Sequence, residues 1–328
     1  MRPPTVQDVR DAGTRVYAHL QRTPLLKHPL LDDWLGCDAW VKHENHNPTG
    51  AFKIRGGLNL IGQLSDEERR RGVVSASTGN HGQSVAFACR LHQVPCRIVV
   101  PRGSNPDKIA AMRAMGATVI EHGRDYDEAR EHVEALAPRE GWRYVHSANE
   151  PHLIAGVGTY GLEIFEALPD ADFVFVPIGG GSGAAGMCIA RTGLGARGKV
   201  IGVQAAGADA FARSWRGPVR VTTDRVNTFA DGMATRCTFD LTFEVLKSEL
   251  NGVVTLTEEE LAGGVRAALQ LTHNLAEGPG AAPIAAARQW APRLAGKKVV
   301  CVMSGGNLDA ATLKRVLDGT IAADASLS

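Results

Sequence analysis

Residues 173–186 read FVFVPIGGGSGAAG, a short apolar run followed directly by a glycine-rich loop. An apolar run of this length is typical of a strand that is buried on both faces of a parallel sheet. Similar runs, separated by amphipathic stretches, lie at 39–41, 73–76, 97–100, 118–120, 200–204, 252–256 and 299–303. This alternation predicts an α/β fold built from doubly wound, open twisted sheets.

The overall composition is that of an ordinary globular enzyme of about two domains. The 328 residues carry 36 Lys plus Arg and 35 Asp plus Glu, which gives a formal net charge of +1. This balance gives no support for a nucleic-acid or acidic-membrane surface. The N-terminus lacks an apolar signal-type segment, and the sequence has no run of about 18 apolar residues. We therefore expect a cytoplasmic protein that binds neither nucleic acid nor membrane.

The glycine-rich loop after residue 178 predicts a phosphate-binding site. Glycines let backbone N–H groups turn inward, and a helix expected to start at Ala184 directs its positive end at an anion. The pattern Gly181-x-Gly183-x-x-Gly186 also matches a dinucleotide fingerprint. A dinucleotide site needs an acidic residue at the end of the next strand, and that strand ends at Gln204. The loop therefore favours a smaller phosphate ligand, with a nicotinamide-binding oxidoreductase as the remote alternative.

Two further polar loops follow predicted strands. Residues 77–83 read STGNHGQ and follow the run at 73–76, and residues 304–307 read SGGN and follow the run at 299–303. In a doubly wound sheet, ligands bind outside the carboxyl ends of the strands. We therefore expect the three loops to meet at one edge of the fold.

Lys53 lies among small and apolar residues, in the stretch NPTGAFKIRGG at 47–57. A lysine held there would be a nucleophilic amine that forms Schiff bases, whereas a lysine at a helix start that points into solvent is the alternative. A phosphate cradle, an amine nucleophile and a polar Ser/Asn loop together fit pyridoxal 5'-phosphate (PLP), which needs all three. Six other lysines have polar neighbours and are predicted to lie in solvent: Lys27, Lys108, Lys247, Lys297, Lys298 and Lys314.

The sequence resembles the serine/threonine dehydratase family of PLP enzymes, which includes threonine and serine ammonia-lyases, serine racemase and the hydroxyectoine-utilisation dehydratase. Residues 44–57 resemble the PLP attachment signature of that family, residues 77–83 its substrate-carboxylate loop, and residues 179–183 its phosphate loop. The resemblance runs in order along nearly the whole chain. Other matching positions are residues 22–25, Asp231, Gly232, Glu277 and residues 304–307.

The resemblance implies a fold-type II PLP enzyme with the cofactor between two domains. Residues 1–49 and 143–328 would form the large PLP-binding domain, and residues 50–142 the small domain that holds the substrate carboxylate. It also implies a homodimer or homotetramer. Gln204 stands where cation-dependent relatives carry a metal-binding Glu, so we expect no divalent metal.

The resemblance also assigns the site residues. Lys53 and Thr78 would be catalytic. The substrate would be bound by Ser77, Thr78, Gly79, Asn80 and His81. The cofactor would be bound by Phe52, Lys53, Asn80, Gly179, Gly180, Gly181, Ser182, Gly183, Gly232, Glu277 and Ser304. Ser304 beside the pyridine nitrogen is a neutral partner, which favours β-elimination over transamination.

The implied reaction is β-elimination of a small β-hydroxy amino acid, such as L-threonine or L-serine, to a 2-oxo acid and ammonia. Two alternatives stay open within the family. Thr78 stands where many dehydratases have Ala and serine racemases have Ser, so an amino-acid racemase is one of them. The other is a dehydratase for a larger substrate such as hydroxyaspartate, phenylserine or a hydroxyectoine-derived acid.

Overall fold

In the computed structural model, which describes residues 1–321, ten strands and fourteen helices alternate along the chain. The strands are β1 Leu25–Lys27, β2 Asp38–His43, β3 Val73–Ala76, β4 Cys96–Val100, β5 Thr118–Glu121, β6 Arg143–Tyr144, β7 Phe173–Pro177, β8 Lys199–Ala205, β9 Gly252–Leu256 and β10 Lys298–Met303. The helices are α1 Val6–Tyr17, α2 Pro29–Leu35, α3 Lys53–Ile61, α4 Asp66–Arg71, α5 Asn80–His92, α6 Pro106–Ala114, α7 Tyr126–Glu140, α8 Pro151–Ala167, α9 Ser182–Gly193, α10 Ala210–Arg216, α11 Asp240–Glu249, α12 Glu258–Thr272, α13 Gly278–Leu294 and α14 Ala310–Leu317.

The larger sheet has six strands in the order β1-β2-β10-β7-β8-β9. Its strands pair in parallel except for β1, which runs antiparallel to β2 at the edge. The predicted α/β class and the buried parallel strands are therefore confirmed. The sequence pattern misses β1 because this strand has only three residues and is largely exposed.

Strand β7 explains why its sequence is apolar throughout. Phe175 packs into a core cluster with residues of α12 and α13, whereas Val174 and Val176 pack into another cluster with residues of α8 and α9. Successive side chains of a strand point to opposite faces, so a strand covered on both faces needs apolar residues at every position.

The smaller sheet has four parallel strands in the order β5-β4-β3-β6. Strand β6 belongs to this sheet although it begins at Arg143, so the sheet extends past the expected domain boundary at residue 142. The pairing reaches there because Val73 and Val74 lie opposite Arg143 and Tyr144. The division into two domains stays a prediction, and its last residues, 322–328, lie outside the described part.

Three helices begin at capping boxes. The side-chain oxygens of Thr5, Ser65 and Thr257 each accept a hydrogen bond from the backbone N–H three residues later. The acidic side chain at that later position accepts a hydrogen bond from the backbone N–H of the N-cap residue. An N-cap of this kind stabilises a helix by about 1 kcal/mol. A Ser or Thr three residues before an acidic residue is the sequence pattern of a capping box, and all three helices have it. Within residues 1–321, none of the helices combines the length and apolar character that crossing a membrane requires.

Candidate active site

The three polar loops meet at one open cavity, as the strand pattern predicts. The cavity lies at the carboxyl ends of β3, β7 and β10 and has a volume of about 780 Å3, which includes open solvent at its mouth. Gly79 alone of the predicted site residues does not line it. The predicted residues that do are Phe52, Lys53, Ser77, Thr78, Asn80, His81, Gly179, Gly180, Gly181, Ser182, Gly183, Gly232, Glu277 and Ser304.

The amine of Lys53 lies inside this cavity. Lys53 is the first residue of α3, and its Nζ donates hydrogen bonds to Oγ of Ser182 at 2.8 Å and to the carbonyl oxygen of Ser147 at 3.1 Å. Burial lowers the pKa of Lys53 to about 8. The alternative in which Lys53 points into solvent is therefore wrong. The lowered pKa makes the neutral, nucleophilic form of the Lys53 amine more abundant near neutral pH than it is for a lysine in water.

The glycine-rich loop forms a cradle at the start of α9. This helix begins at Ser182, two residues before the expected Ala184, because Gly181 adopts a left-handed φ of 88° and turns the chain into the helix. A side chain on Gly179 would collide with the backbone oxygen of Gly232, and a Cβ on Gly183 would lie 3.0 Å from the Phe52 ring. The loop thus presents backbone rather than side chains to the cavity.

This cradle fits the phosphate of PLP. Backbone N–H groups at the start of a twelve-residue helix bind a dianion, since they are unpaired and carry the positive end of the helix dipole. The loop is fixed from behind, because Oγ1 of Thr242 donates to the carbonyl oxygen of Gly180 at 2.8 Å. Residues 179–183 would hold the phosphate, and Lys53 lies close enough to Ser182 to form the covalent bond to the same cofactor.

The loop at 77–80 is a second candidate site for an anion. Oγ of Ser77 accepts hydrogen bonds from the backbone N–H of Gly79 at 2.9 Å and of Gly82 at 2.8 Å, which fixes the loop at the start of α5. His81 follows, buried, with its Nδ1 lacking a hydrogen-bond partner within residues 1–321. Burial lowers the pKa of His81 to about 3, so the imidazole is neutral. A substrate carboxylate would fit here.

Asn80 is held by hydrogen bonds at both ends of its amide. Its Nδ2 donates to Oε1 of Glu277, and its Oδ1 accepts from Nδ2 of Asn307 at 2.8 Å. Burial raises the pKa of the Glu277 carboxyl, while Lys108 and Asn80 act in the opposite direction. Ser304 lies at the same edge, and its carbonyl oxygen accepts from the backbone N–H of Phe52 at 2.9 Å.

The prediction for Lys108 is wrong. This side chain is only 6% exposed, and its Nζ lies 3.3 Å from Oε2 of Glu277 and 3.5 Å from Oδ2 of Asp231. Its neighbours in the sequence are polar, but α6 packs beside α5 and directs Lys108 at the cavity. The acids that balance its charge come from distant parts of the chain, so local sequence carried no signal for its burial.

Sequence reasoning also missed other residues of the cavity wall. They include Tyr126, Ser147, Ala234 and Thr235. The Tyr126 and Ser147 hydroxyls lie 2.6 Å apart. Thr235 is buried, and its Oγ1 lacks a hydrogen-bond partner within the described residues. The position of Thr235, three residues after Gly232, is the one signal that could have identified it.

A buried cluster of charges fixes helix α3 behind Lys53. Arg55 is 0% exposed, and its guanidinium donates to Glu44 at 2.8 Å and to Glu163 at 2.6 Å. Lys42 is also buried and donates to Glu163 at 2.5 Å. The positive charges of Arg55 and Lys42 therefore balance the negative charges of Glu44 and Glu163. Arg55 itself lies two residues after Lys53.

Gln204 has a structural role. The side chain is buried, and its Oε1 accepts from the backbone N–H of Ala212 at 2.8 Å. Across residues 1–321, no three His, Cys, Asp or Glu side chains are grouped so as to hold a metal ion. The expectation that the enzyme needs no divalent metal stays a prediction.

Comparison with known proteins agrees with this site. Residues 16–305 match the family described as pyridoxal-phosphate dependent enzyme. The L-threonine ammonia-lyase of Thermotoga maritima is 40% identical over 96% of this chain and 78% of that protein. The L-threo-3-hydroxyaspartate ammonia-lyase of Saccharomyces cerevisiae is 33% identical over 96% of this chain and 97% of that protein. The structure of the processed form of threonine deaminase isoform 2 from Solanum lycopersicum has a TM-score of 0.89 at 32% identity, covering 97% of this chain and 95% of that chain.

The fold and the site thus define a PLP-dependent enzyme, and the chain belongs to that family. The cofactor is pyridoxal 5'-phosphate, as predicted, which decides against the nicotinamide alternative. The predicted resemblance to the serine/threonine dehydratases and the predicted ammonia-lyase class are confirmed by the same relatives.

Proposed function

We propose that this enzyme eliminates water from L-threonine, and less readily from L-serine, to give a 2-oxo acid and ammonia. The position of the Lys53 amine carries this proposal. It lies in the cavity beside the phosphate cradle, 2.8 Å from Ser182, with its pKa lowered to about 8. The name of the Thermotoga maritima relative, L-threonine ammonia-lyase, supports threonine as the substrate.

The substrate would be oriented by the start of α5. Backbone N–H groups of Thr78 and Asn80 would bind the carboxylate, and Ser77 holds their loop in place through the N–H groups of Gly79 and Gly82. The neutral His81 adds no charge of its own. This placement would direct the Cα–H bond of the substrate toward Lys53, which lines the same cavity.

Lys53 would move the proton. Bound PLP supplies an electron sink that makes the α-proton of the substrate acidic. The neutral amine of Lys53 accepts that proton at Nζ and returns it to the leaving β-hydroxyl, so that the Cα–H and Cβ–O bonds break and water leaves. The released enamine takes up water and gives the 2-oxo acid and ammonia. A pKa near 8 suits both halves of this transfer.

The charge of the cavity wall favours a substrate that carries no second carboxylate. Lys108 is the cation there besides Lys53 among the lining residues, and it is already paired with Glu277 and Asp231. A substrate such as hydroxyaspartate would bring a negative charge toward two acids. The wall therefore supports threonine or serine over hydroxyaspartate, the substrate named for the yeast relative.

The test is release of 2-oxo acid from a panel of L-threonine, L-serine and L-threo-3-hydroxyaspartate. We expect kcat/KM to be highest for threonine and at least about 10-fold lower for hydroxyaspartate, because like charges placed together cost several kcal/mol. A preference for hydroxyaspartate would contradict the substrate assignment. Failure to release 2-oxo acid from any of the three would contradict the reaction itself.

A further inference from the structure

Lys108 connects the two sheets at the cavity wall. It lies in the first turn of α6, beside the smaller sheet, while its two partners belong to segments around the larger sheet. Glu277 is the N-cap residue of α13, and Asp231 lies in the 3₁₀ turn Asp231–Met233. The Lys108 ammonium is 3.3 Å from the first and 3.5 Å from the second.

The lysine compensates a buried carboxylate. Glu277 is 3% exposed, whereas the Asp231 side chain is 45% exposed and can be solvated from the cavity. Burial and Asp231 both raise the pKa of Glu277, and Lys108 is the strongest influence that lowers it. Burial also acts on Lys108, but the two acids outweigh it and raise the pKa of the ammonium. Lys108 therefore stays charged beside Glu277.

The charge of Glu277 determines which way Asn80 faces. A carboxylate only accepts hydrogen bonds, so the Asn80 atom that faces Oε1 has to be the donor Nδ2. Asn307 then donates to Oδ1 of Asn80 at 2.8 Å and to the carbonyl oxygen of Thr49 at 2.8 Å. One orientation of the amide satisfies both neighbours, and it leaves the second N–H of Nδ2 free. A protonated Glu277 carries both a donor and an acceptor, so it would no longer select that orientation.

The backbone leaves room for this arrangement. A side chain on Gly79 would collide with the methylene stem of Lys108, and a side chain on Gly305 would collide with Oε1 of Glu277. The two loops that flank the cofactor site thus carry glycine at the points where Lys108 and Glu277 pass. The packing is specific to these two side chains and is not a loose surface contact.

We propose that Lys108 is a positioning residue: it keeps Glu277 ionised, and Glu277 holds Asn80 with a free amide N–H turned to the PLP ring. This inference rests on the proposed function. Lys108 acts on the reaction through Glu277 and Asn80 and touches neither substrate nor cofactor in this role. The ring oxygen O3' is the acceptor that the Asn80 N–H would reach. Loss of that bond changes the electronic state of the ring and therefore its visible absorption.

The proposal predicts a pH effect, so the charges around Glu277 matter. Lys108 faces it from α6 and Asp231 from the 3₁₀ turn, with the Asn80 amide on the third side. Asp309 and Arg315 line a second cavity behind this group, together with Lys108 and Glu277. Removing the Lys108 charge leaves Glu277 beside Asp231, and the pKa of Glu277 then moves up toward neutral pH.

The experiment uses the holoenzyme variant Lys108→Met, which keeps the apolar stem and removes the charge. Below the new pKa of Glu277 we expect kcat/KM to fall by about 10²-fold, the cost of a small misplacement at a reacting centre. Both activity and the visible absorption of the bound cofactor should recover as pH rises, through a step that the wild type lacks. The double variant K108M/E277Q should lose this step, because the amide that replaces the carboxyl does not titrate.

Controls separate a positioning role from a structural one. Lys314→Met changes an exposed lysine that pairs with Asp318 and should leave both pH profiles unchanged. Lys108→Gln removes the charge but keeps a donor, so it should show the same added step if Lys108→Met does not fold. An equal loss of activity at all pH values, or a step that persists in K108M/E277Q, would overturn the proposal.

The outcome is distinguishable from failure of the proposed function. If the wild type binds PLP but releases no 2-oxo acid from any β-hydroxy amino acid, the reaction assignment fails. The pH titration of the visible absorption still tests Lys108 in that case, since it needs only the bound cofactor. A titration step in K108M that vanishes in K108M/E277Q supports the positioning role, and its absence in K108M refutes it.

Discussion

The hydroxyl of Ser182 lies 2.8 Å from Nζ of Lys53, so the first residue of α9 meets the first residue of α3. The larger sheet and its glycine loop provide one of these residues, and the segment before the smaller sheet provides the other. The contact joins the two parts of the site that PLP must span, the phosphate cradle and the amine.

Ser182→Ala tests this junction. The substitution removes one hydrogen bond from the loop and the amine, and such a bond contributes about 1 kcal/mol. We expect the Kd for PLP to rise by about 5- to 10-fold, because the Ser182 hydroxyl lies beside both groups that hold the cofactor. Equilibrium titration of apoenzyme with PLP measures the change. Ser248→Ala, on the exposed side of α11, is the matched control and should leave the Kd unchanged.

Lys53→Met should make the apoenzyme more stable at neutral pH. Folding lowers the pKa of Lys53 from 10.5 to about 8, so the folded state disfavours the charged amine. The penalty is fully present below pH 8, shrinks between pH 8 and 10.5, and vanishes above 10.5. With allowance for its partial exposure, we expect a gain of about 1–2 kcal/mol at pH 7.

Urea unfolding of both apoproteins at pH 7 and near pH 10.5 measures this difference. The same variant should lose ammonia-lyase activity by about 10⁴-fold or more, since the general base is removed. A Lys53→Met apoprotein that is less stable than the wild type at pH 7 would show that burying the charged amine does not destabilise the folded protein.

Arg55→Met should destabilise the protein strongly. The guanidinium is fully buried between Glu44 and Glu163, and its removal leaves two buried carboxylates with Lys42 as their nearest cation. Breaking a buried ion pair in this way costs about 3–5 kcal/mol. Denaturant unfolding gives the value. Arg213→Met, which removes an exposed pair with Asp209, should change the free energy of unfolding by less than about 1 kcal/mol.

Thr78→Ala separates elimination from racemisation. Thr78 lines the cavity, and its hydroxyl is the group that a racemase of this family would need on the second face of the substrate. We expect the variant to keep 2-oxo acid release from L-threonine within about 3-fold, because Lys53 alone carries the α-proton. Chiral chromatography after incubation with L-serine should find no D-serine from the variant. Continued D-serine formation would assign the second proton transfer to another residue.

The features that the sequence predicted are local ones. Strand β7 and its glycine loop are contiguous, and their apolar pattern and glycine spacing require one arrangement whatever the rest of the chain does. The capping box at Thr257 is local in the same way, because Thr257 and Glu260 are three residues apart. Lys53 was recognised because its immediate neighbours are small and apolar.

The features that the sequence missed depend on distant residues. Lys108 has polar neighbours along the chain, and its burial follows only from the packing of α6 against α5 and from acids at 231 and 277. Strand β6 has two residues, too few for any periodicity, and exists because β3 offers an unpaired edge. Its position is decided by the sheet and not by its own sequence.

The close approach of Gly179 to Gly232 constrains how this enzyme can be altered. A side chain on Gly179 would meet the backbone oxygen of Gly232, so neither loop can be changed without regard to the other. A phosphate loop grafted from another protein would fit only if the segment around residue 232 came with it. The two segments therefore have to change together, in evolution as in protein engineering, although more than fifty residues separate them in the chain.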